Sequence, residues 1–182
     1  MSRPAYNRIF GLALAALVFV ADQFTKWLMI GPLQLQARGH IDLLPFFDLT
    51  WTENRGISLG LFSADTTQAR WMLLALTGLI SLVIVIWMMR ERLLGDIAAL
   101  ALVLGGALGN IRDRMTYGYV VDFADFQVWG YRPFLIFNLA DAAITIGVVI
   151  LLVRALFMRE KREPGHGTGP ADRNPDHSAE TF

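Results

Sequence analysis

Apolar residues in this chain do not alternate with polar ones; they run in long blocks. Four blocks reach the roughly 20 residues of helix needed to cross a hydrocarbon core of about 30 Å. They lie at about Ile9 to Ile30, Ala69 to Met89, Leu93 to Ile111 and Phe134 to Phe157. The pattern predicts four membrane spans. The first opens like a signal peptide, with Arg3 and Arg8 ahead of Gly11-Leu12-Ala13-Leu14. It stays apolar beyond Lys26 and lacks a convincing small-residue cleavage site, so it reads as a retained span. Residues 31–68 and 117–131 have a different texture, aromatic and β-branched, which predicts short strands. A small sheet on one membrane face follows, with Phe46, Phe47, Trp51 and Trp129 as interfacial anchors.

Lys and Arg set the expected orientation, because cytoplasmic flanks are enriched in them. Arg3 and Arg8 precede the first span, Arg90 and Arg92 sit in the second turn, and Arg159, Lys161 and Arg162 follow the last. Both termini are expected in the cytoplasm, although Arg38, Arg55, Arg112, Arg114 and Arg132 fall on the other side. Residues 1–159 read as one membrane domain, with outer elements at about 31–68 and 112–133. Residues 160–182, rich in Pro, Gly, Asp and His, read as a disordered cytoplasmic tail.

Composition narrows the chemistry. Of 182 residues, 54% are apolar and 18% charged, and the formal net charge is zero, which argues against a nucleic-acid partner. The absence of cysteine removes disulfides, thiol nucleophiles and cysteine metal sites. His166 and His177 lie in the polar tail, and His40 alone does not make a zinc site of the usual type. No cofactor is expected.

Ionisable residues at membrane depth then stand out, because each costs about 2.5 to 3.5 kcal/mol on insertion scales. Asp122 lies in Val120-Val121-Asp122-Phe123, and Asp141 opens the fourth block. Two such carboxyls, if they meet, repel unless one keeps its proton, and a pair sharing a proton activates water and polarises a carbonyl at once. Asp125, three residues from Asp122, reads as solvated. Asp22 and Lys26 share a helix face and read equally as a structural ion pair or as substrate contacts. Gly105, Gly106 and Gly109 read as close helix packing. Asn110 and Arg114 stand one turn apart and can point into one cavity, with Arg112 and Asp113 as flanking charges. Asn138, three residues before Asp141, can cap the fourth helix or donate to the carboxyl.

Five ordered strings carry a family resemblance: Asp22-Gln23-Phe24-Thr25-Lys26, Asn54-Arg55-Gly56, Gly105 through Arg114, Val120-Val121-Asp122-Phe123 and Phe137-Asn138-Leu139-Ala140-Asp141. In order and spacing the chain closely resembles the bacterial lipoprotein signal peptidases, or signal peptidase II, from the first span through the fourth. The resemblance implies an all-α intramembrane aspartyl endopeptidase with four helices, a small extracytoplasmic β-cradle and a short surface helix. It implies cleavage of prolipoproteins on the amino side of a diacylglyceryl-modified cysteine, inhibition by globomycin-type compounds, and residence in the inner membrane among its lipids, as a monomer. By position Asp122 and Asp141 match the catalytic pair. Asn54, Gly56, Asn110, Arg114, Asn138 and Ala140 match pocket and supporting positions, and Asp22 and Lys26 the first motif. One departure is Ile57-Ser58-Leu59, where the family is expected to carry small residues followed by Phe. Contacts around that loop are expected to differ and the chemistry to stay.

Rival readings are a Ser58–Lys26 dyad, which lacks a nucleophile motif; a proton-coupled transporter, for which no repeated halves are visible; and a structural four-helix subunit, which leaves the acids unexplained.

Overall fold

In the computed structural model, residues 3–57, 62–63, 67–127 and 131–159 are described. The expected tail at 160–182, Ser58 and Trp129 lie outside them. Chain order is α1 (Arg3–Ile30), α2 (Leu35–Arg38), β1 (His40–Leu44), β2 (Phe47–Asn54), β3 (Gly56–Ile57), β4 (Phe62–Ser63), α3 (Thr67–Arg90), α4 (Leu94–Thr116), β5 (Val120–Phe126) and α5 (Leu139–Arg159).

The long apolar blocks become helices because a backbone in lipid must satisfy its own hydrogen bonds. Helices α1, α3, α4 and α5 are each long and apolar enough to cross a membrane. Two boundaries depart from the expectation. Helix α4 runs on to Thr116, taking Arg112, Asp113 and Arg114 into its last turns, because Asp113 turns inward to pair with Lys26 and Arg114 lies in the field of the buried acids. Helix α5 starts only at Leu139. Residues 131–138 are irregular, with a bend at Pro133 and Phe134, and Phe137 joins the sheet by a bridge to Ala124.

Helix α4 is the centre of the bundle, packed on α1, α3 and α5. Small residues let the axes close. A Cβ on Gly105 would lie 2.5 Å from the Ala15 carbonyl oxygen, and one on Gly106 would lie 2.5 Å from that of Ala140. Ala15, Ile84, Met88, Ile97, Leu100 and Leu104 fill the core between α1, α3 and α4. The outer faces of α3 and α5 keep Leu76, Leu79, Leu82, Leu152 and Leu156 exposed, as a lipid-facing surface requires.

The strands form an antiparallel sheet in the order β1-β2-β5, with β3 and β4 as a separate two-stranded ribbon. Residues Val120 to Asp125 of β5 are all buried, which explains a strand sequence without alternation. Met29, Leu35, Leu49, Val121, Phe123 and Ala124 make a second core beneath the sheet. Trp51 and Phe47, expected as interfacial anchors, pack against this core, whereas Phe46 is exposed and meets Phe126 at a centroid distance of 5.8 Å. Leu35 of the short helix α2 is fully buried there, so α2 plugs the join between α1 and the sheet.

Contacts at the far end fix which parts share it. Asn7 Nδ2 donates to the Arg92 carbonyl at 3.0 Å, and Arg154 pairs with Asp96. The start of α1, the α3–α4 turn and the end of α5 therefore lie together, and the sheet cradles the opposite end.

Candidate active site

Strand β5 and the first turn of α5 bring Asp122 and Asp141 to the cradle end. Asp122 is on a fully buried strand and 2% exposed. Pairing of Thr52 with Asp122 follows a register shift after Leu49, so β2 re-aims just before it reaches the acid. Asn54, two residues on, donates through Nδ2 to Asp122 Oδ2 at 3.0 Å. Its Oδ1 accepts from the Gly56 N–H at 3.2 Å, which fixes the orientation of the amide.

Asp141 is set by helix capping. Asn138 Oδ1 accepts from the Asp141 N–H at 2.9 Å, and Asp141 Oδ2 accepts from the Asn138 N–H at 3.3 Å. This is the reciprocal bonding of a capping box, at the helix end that attracts negative charge. The capping reading of Asn138 matches this bonding, whereas its Nδ2, expected to reach the Asp141 carboxyl, donates instead to Asp122 Oδ1 at 2.6 Å and to the Val121 carbonyl at 3.2 Å. That Nδ2 also meets Asn110 Oδ1 at 3.3 Å, and Asn110 Nδ2 donates to Asp141 Oδ1 at 2.8 Å. Two amides thus link one carboxyl to the other.

Burial pushes the Asp122 carboxyl up to about 7, and the charge of Asp141 adds to that. The hydrogen bonds from Asn54 and Asn138 oppose the rise, with Lys26 opposing it at longer range. The outcome is a carboxyl that keeps its proton into the neutral range beside a second carboxyl. Arg114 lies in the fields of Asp141, Asp122 and Asp113, and among the described residues its buried Nε has no hydrogen-bond partner.

A buried ionic cluster lies behind the pair. Lys26 Nζ is 2.9 Å from Asp22 Oδ2, 2.6 Å from Asp113 Oδ2 and 3.2 Å from Asn110 Oδ1. Asp22 Oδ1 accepts from the Ala140 N–H at 3.0 Å, and Asp113 Oδ2 from the Val121 N–H at 3.3 Å. The residue before each acid is therefore held by a carboxylate on the same lysine. Asp22 and Lys26 are no more than 2% exposed, which favours the structural reading of that pair, and Ser58 of the rival dyad lies outside the described residues. Ala140 contributes a buried backbone donor and a small side chain opposite Gly109.

Asp125 corrects an expectation. It is fully buried, accepting from Thr50 Oγ1 at 2.9 Å and pairing with Arg132 at 2.8 Å. Burial of a carboxylate requires such partners, and both come from distant or loop positions. Sequence reasoning also passed over Gln23, whose Nε2 reaches Asp22, Asp113 and the Gly109 carbonyl, and treated Asp113 as a flanking charge. The available signal was spacing: Asp113 lies three residues beyond Asn110, on the same helix face.

Two hollows open on the acids. Asp122, Asn54 and Gly56 line an open cleft of about 590 Å³ with Arg55, Arg132 and Leu135. Asp141 lines a more apolar hollow of about 360 Å³ with Phe137, Ala142 and Ile146. Phe134 and Leu135, 63% and 74% exposed, border both. Elsewhere, His40, Asp42 and Asp48 come within 4.8 Å of one another on β1 and β2. His40 is bonded to Thr50 and Asp42 there, and the set includes neither acid of the pair.

Comparison with known proteins agrees with this architecture. Residues 14–157 match the family model described as signal peptidase (SPase) II. A lipoprotein signal peptidase of Sphingopyxis alaskensis is 52% identical over 96% of both chains. One from Rhizorhabdus wittichii is 51% identical over 87% of this chain and 92% of its own. A bacterial membrane enzyme solved by the in meso method at 2.3 Å superposes with a TM-score of 0.73 and 29% identity, covering 85% of this chain and 92% of that one. A second, at 1.9 Å, gives 0.70 and 30%, over 81% and 93%.

Proposed function

The chain belongs to the signal peptidase II family, and from that premise we propose that it is an aspartyl endopeptidase whose working pair is Asp122 and Asp141. As a member it is a multi-pass membrane protease that processes lipoproteins. Its substrate is a prolipoprotein bearing a diacylglyceryl-modified cysteine, cut on the amino side of that residue. The observation that carries the mechanism is the two-amide link between the carboxyls, with Asp122 raised to about 7.

Asp141, at a helix N-terminus with two N–H donors, carries the negative charge and takes a proton from water. The water oxygen attacks the scissile carbonyl carbon, and Asp122 gives its proton to the carbonyl oxygen. On collapse of the tetrahedral diol one hydroxyl returns its proton to Asp122, Asp141 passes the proton it took from water to the leaving nitrogen, and the C–N bond breaks. No covalent enzyme intermediate forms. The unpartnered Nε of Arg114 suits a substrate carbonyl, which would hold the peptide extended beside the pair.

The cleft at Asn54 and Gly56 is the proposed path of the peptide, and the apolar hollow on α5 receives acyl chain or signal-peptide side chains from the lipid. Globomycin-type inhibitors would occupy the same space. The basic residues Arg90 and Arg92 support an orientation with the opposite end and both termini in the cytoplasm and the cradle on the extracytoplasmic face. A monomer suffices, since both acids come from one chain.

Asp122→Asn and Asp141→Asn test the reading. Asn at 141 retains an acceptor for the capping bond, so both variants are expected to fold and insert. Cleavage of a lipidated precursor is expected to fall by about 10² to 10⁴ or more. Cleavage retained by either variant overturns the aspartyl mechanism.

A further inference from the structure

Helices α1 and α4 leave an apolar groove of about 530 Å³ on the outside of the bundle, away from both acids. It is lined by Leu12, Ala16, Phe19, Leu108, Met115 and, at its cradle end, Arg112. On α4 the lining runs from Leu104 to Thr116, about 18 Å at a rise of roughly 1.5 Å per residue. That length is close to the depth of one leaflet, roughly 15 Å or half the hydrocarbon core.

Arg112 is exposed, and its Nη1 donates to Gln23 Oε1. That acceptor is neutral. The Gln23 amide nitrogen is spent on Asp22, Asp113 and the Gly109 carbonyl, and the adjacent Asp113 carboxylate is committed to Lys26. Among the described residues no carboxylate pairs with Arg112. Gln23 therefore holds the guanidinium in place without neutralising it, one turn from the end of a span, where phosphates of the bilayer lie. A planar guanidinium suits a phosphate oxygen pair.

We propose that this groove is a binding site for one anionic glycerophospholipid of the surrounding bilayer, its acyl chain along α1 and α4 and its phosphate on Arg112. A zwitterionic lipid fills the groove less well, because its own cation already offsets its phosphate. A diacylglycerol, uncharged, makes no use of Arg112.

The test is native mass spectrometry of the full chain, released from nanodiscs holding equal phosphatidylglycerol and phosphatidylcholine. The wild type is expected to retain one phosphatidylglycerol with about fivefold preference, the factor for roughly 1 kcal/mol per basic residue at a membrane surface. Arg112→Gln is expected to bring the ratio near one. Ala16→Trp, which fills the groove from an exposed position, is expected to remove the bound lipid while the melting temperature holds; should it fail to fold, the Arg112→Gln ratio decides alone. Equal retention of the two lipids by wild type, an unchanged preference in Arg112→Gln, or a dimer in place of the lipid adduct overturns the proposal.

Discussion

At the scale of single residues, the proposed mechanism makes the proton on Asp122 govern the pH response. Its carboxyl is raised from an ordinary 3.8 to about 7, so it is protonated below that pH and ionised above it. Cleavage that needs this proton is expected to fall as pH rises through about 7, seen as the alkaline limb of a kcat/KM profile. The sign for stability is the same: folding favours the protonated form, so this group's contribution is full below 3.8 and is lost as pH rises through about 7. Asn54→Ala removes a hydrogen bond that favours the ionised carboxylate. Its alkaline limb is expected to move upward by about one pH unit, on the scale of a hydrogen bond to a charged group. Lys26→Met leaves two buried carboxylates without their cation and is expected to destabilise by about 3 to 5 kcal/mol, read by thermal unfolding in detergent.

At the scale of elements, close approach explains which glycines matter. Gly106→Ala would drive a Cβ to 2.5 Å from the Ala140 carbonyl, a backbone atom, and is expected to cost about 1 to 3 kcal/mol. Gly78→Ala meets nothing within 4 Å and is expected to be neutral or to gain up to about 1 kcal/mol. Thermal melts of the two variants make the comparison. The spans were legible because length and apolarity act locally along the chain. The end of α4 was not, since Arg112 and Asp113 look like flanking charges until Lys26, on α1, supplies Asp113 with a partner. Asp125 was misread for the same reason: Thr50, whose hydroxyl donates to it across the sheet, lies 75 residues earlier. In the site, the acids and amides were visible as motifs, whereas the two-amide link needed α4, β5 and α5 in one place.

At the scale of the whole molecule, the two hollows meeting at Phe134 and Leu135 couple a polar cleft to a lipid-facing one. On the proposed docking, a precursor without its diacylglyceryl group loses the second contact. It is expected to be cut with kcat/KM lower by about 100-fold, the equivalent of roughly three to four methylenes at about 0.8 kcal/mol each, in paired assays of lipidated and unlipidated substrate. The Lys26 cluster has a consequence of another kind, for biogenesis. Its carboxylates grip Val121 on β5 and Ala140 on α5 from side chains on α1 and α4, so the first helix to leave the ribosome waits for the last. On the proposed mechanism, a nascent chain with three spans inserted has Asp122 without Asp141 beside it and is expected to show no peptidase activity. The order of insertion then delays assembly of the proposed site until the fourth span is in place.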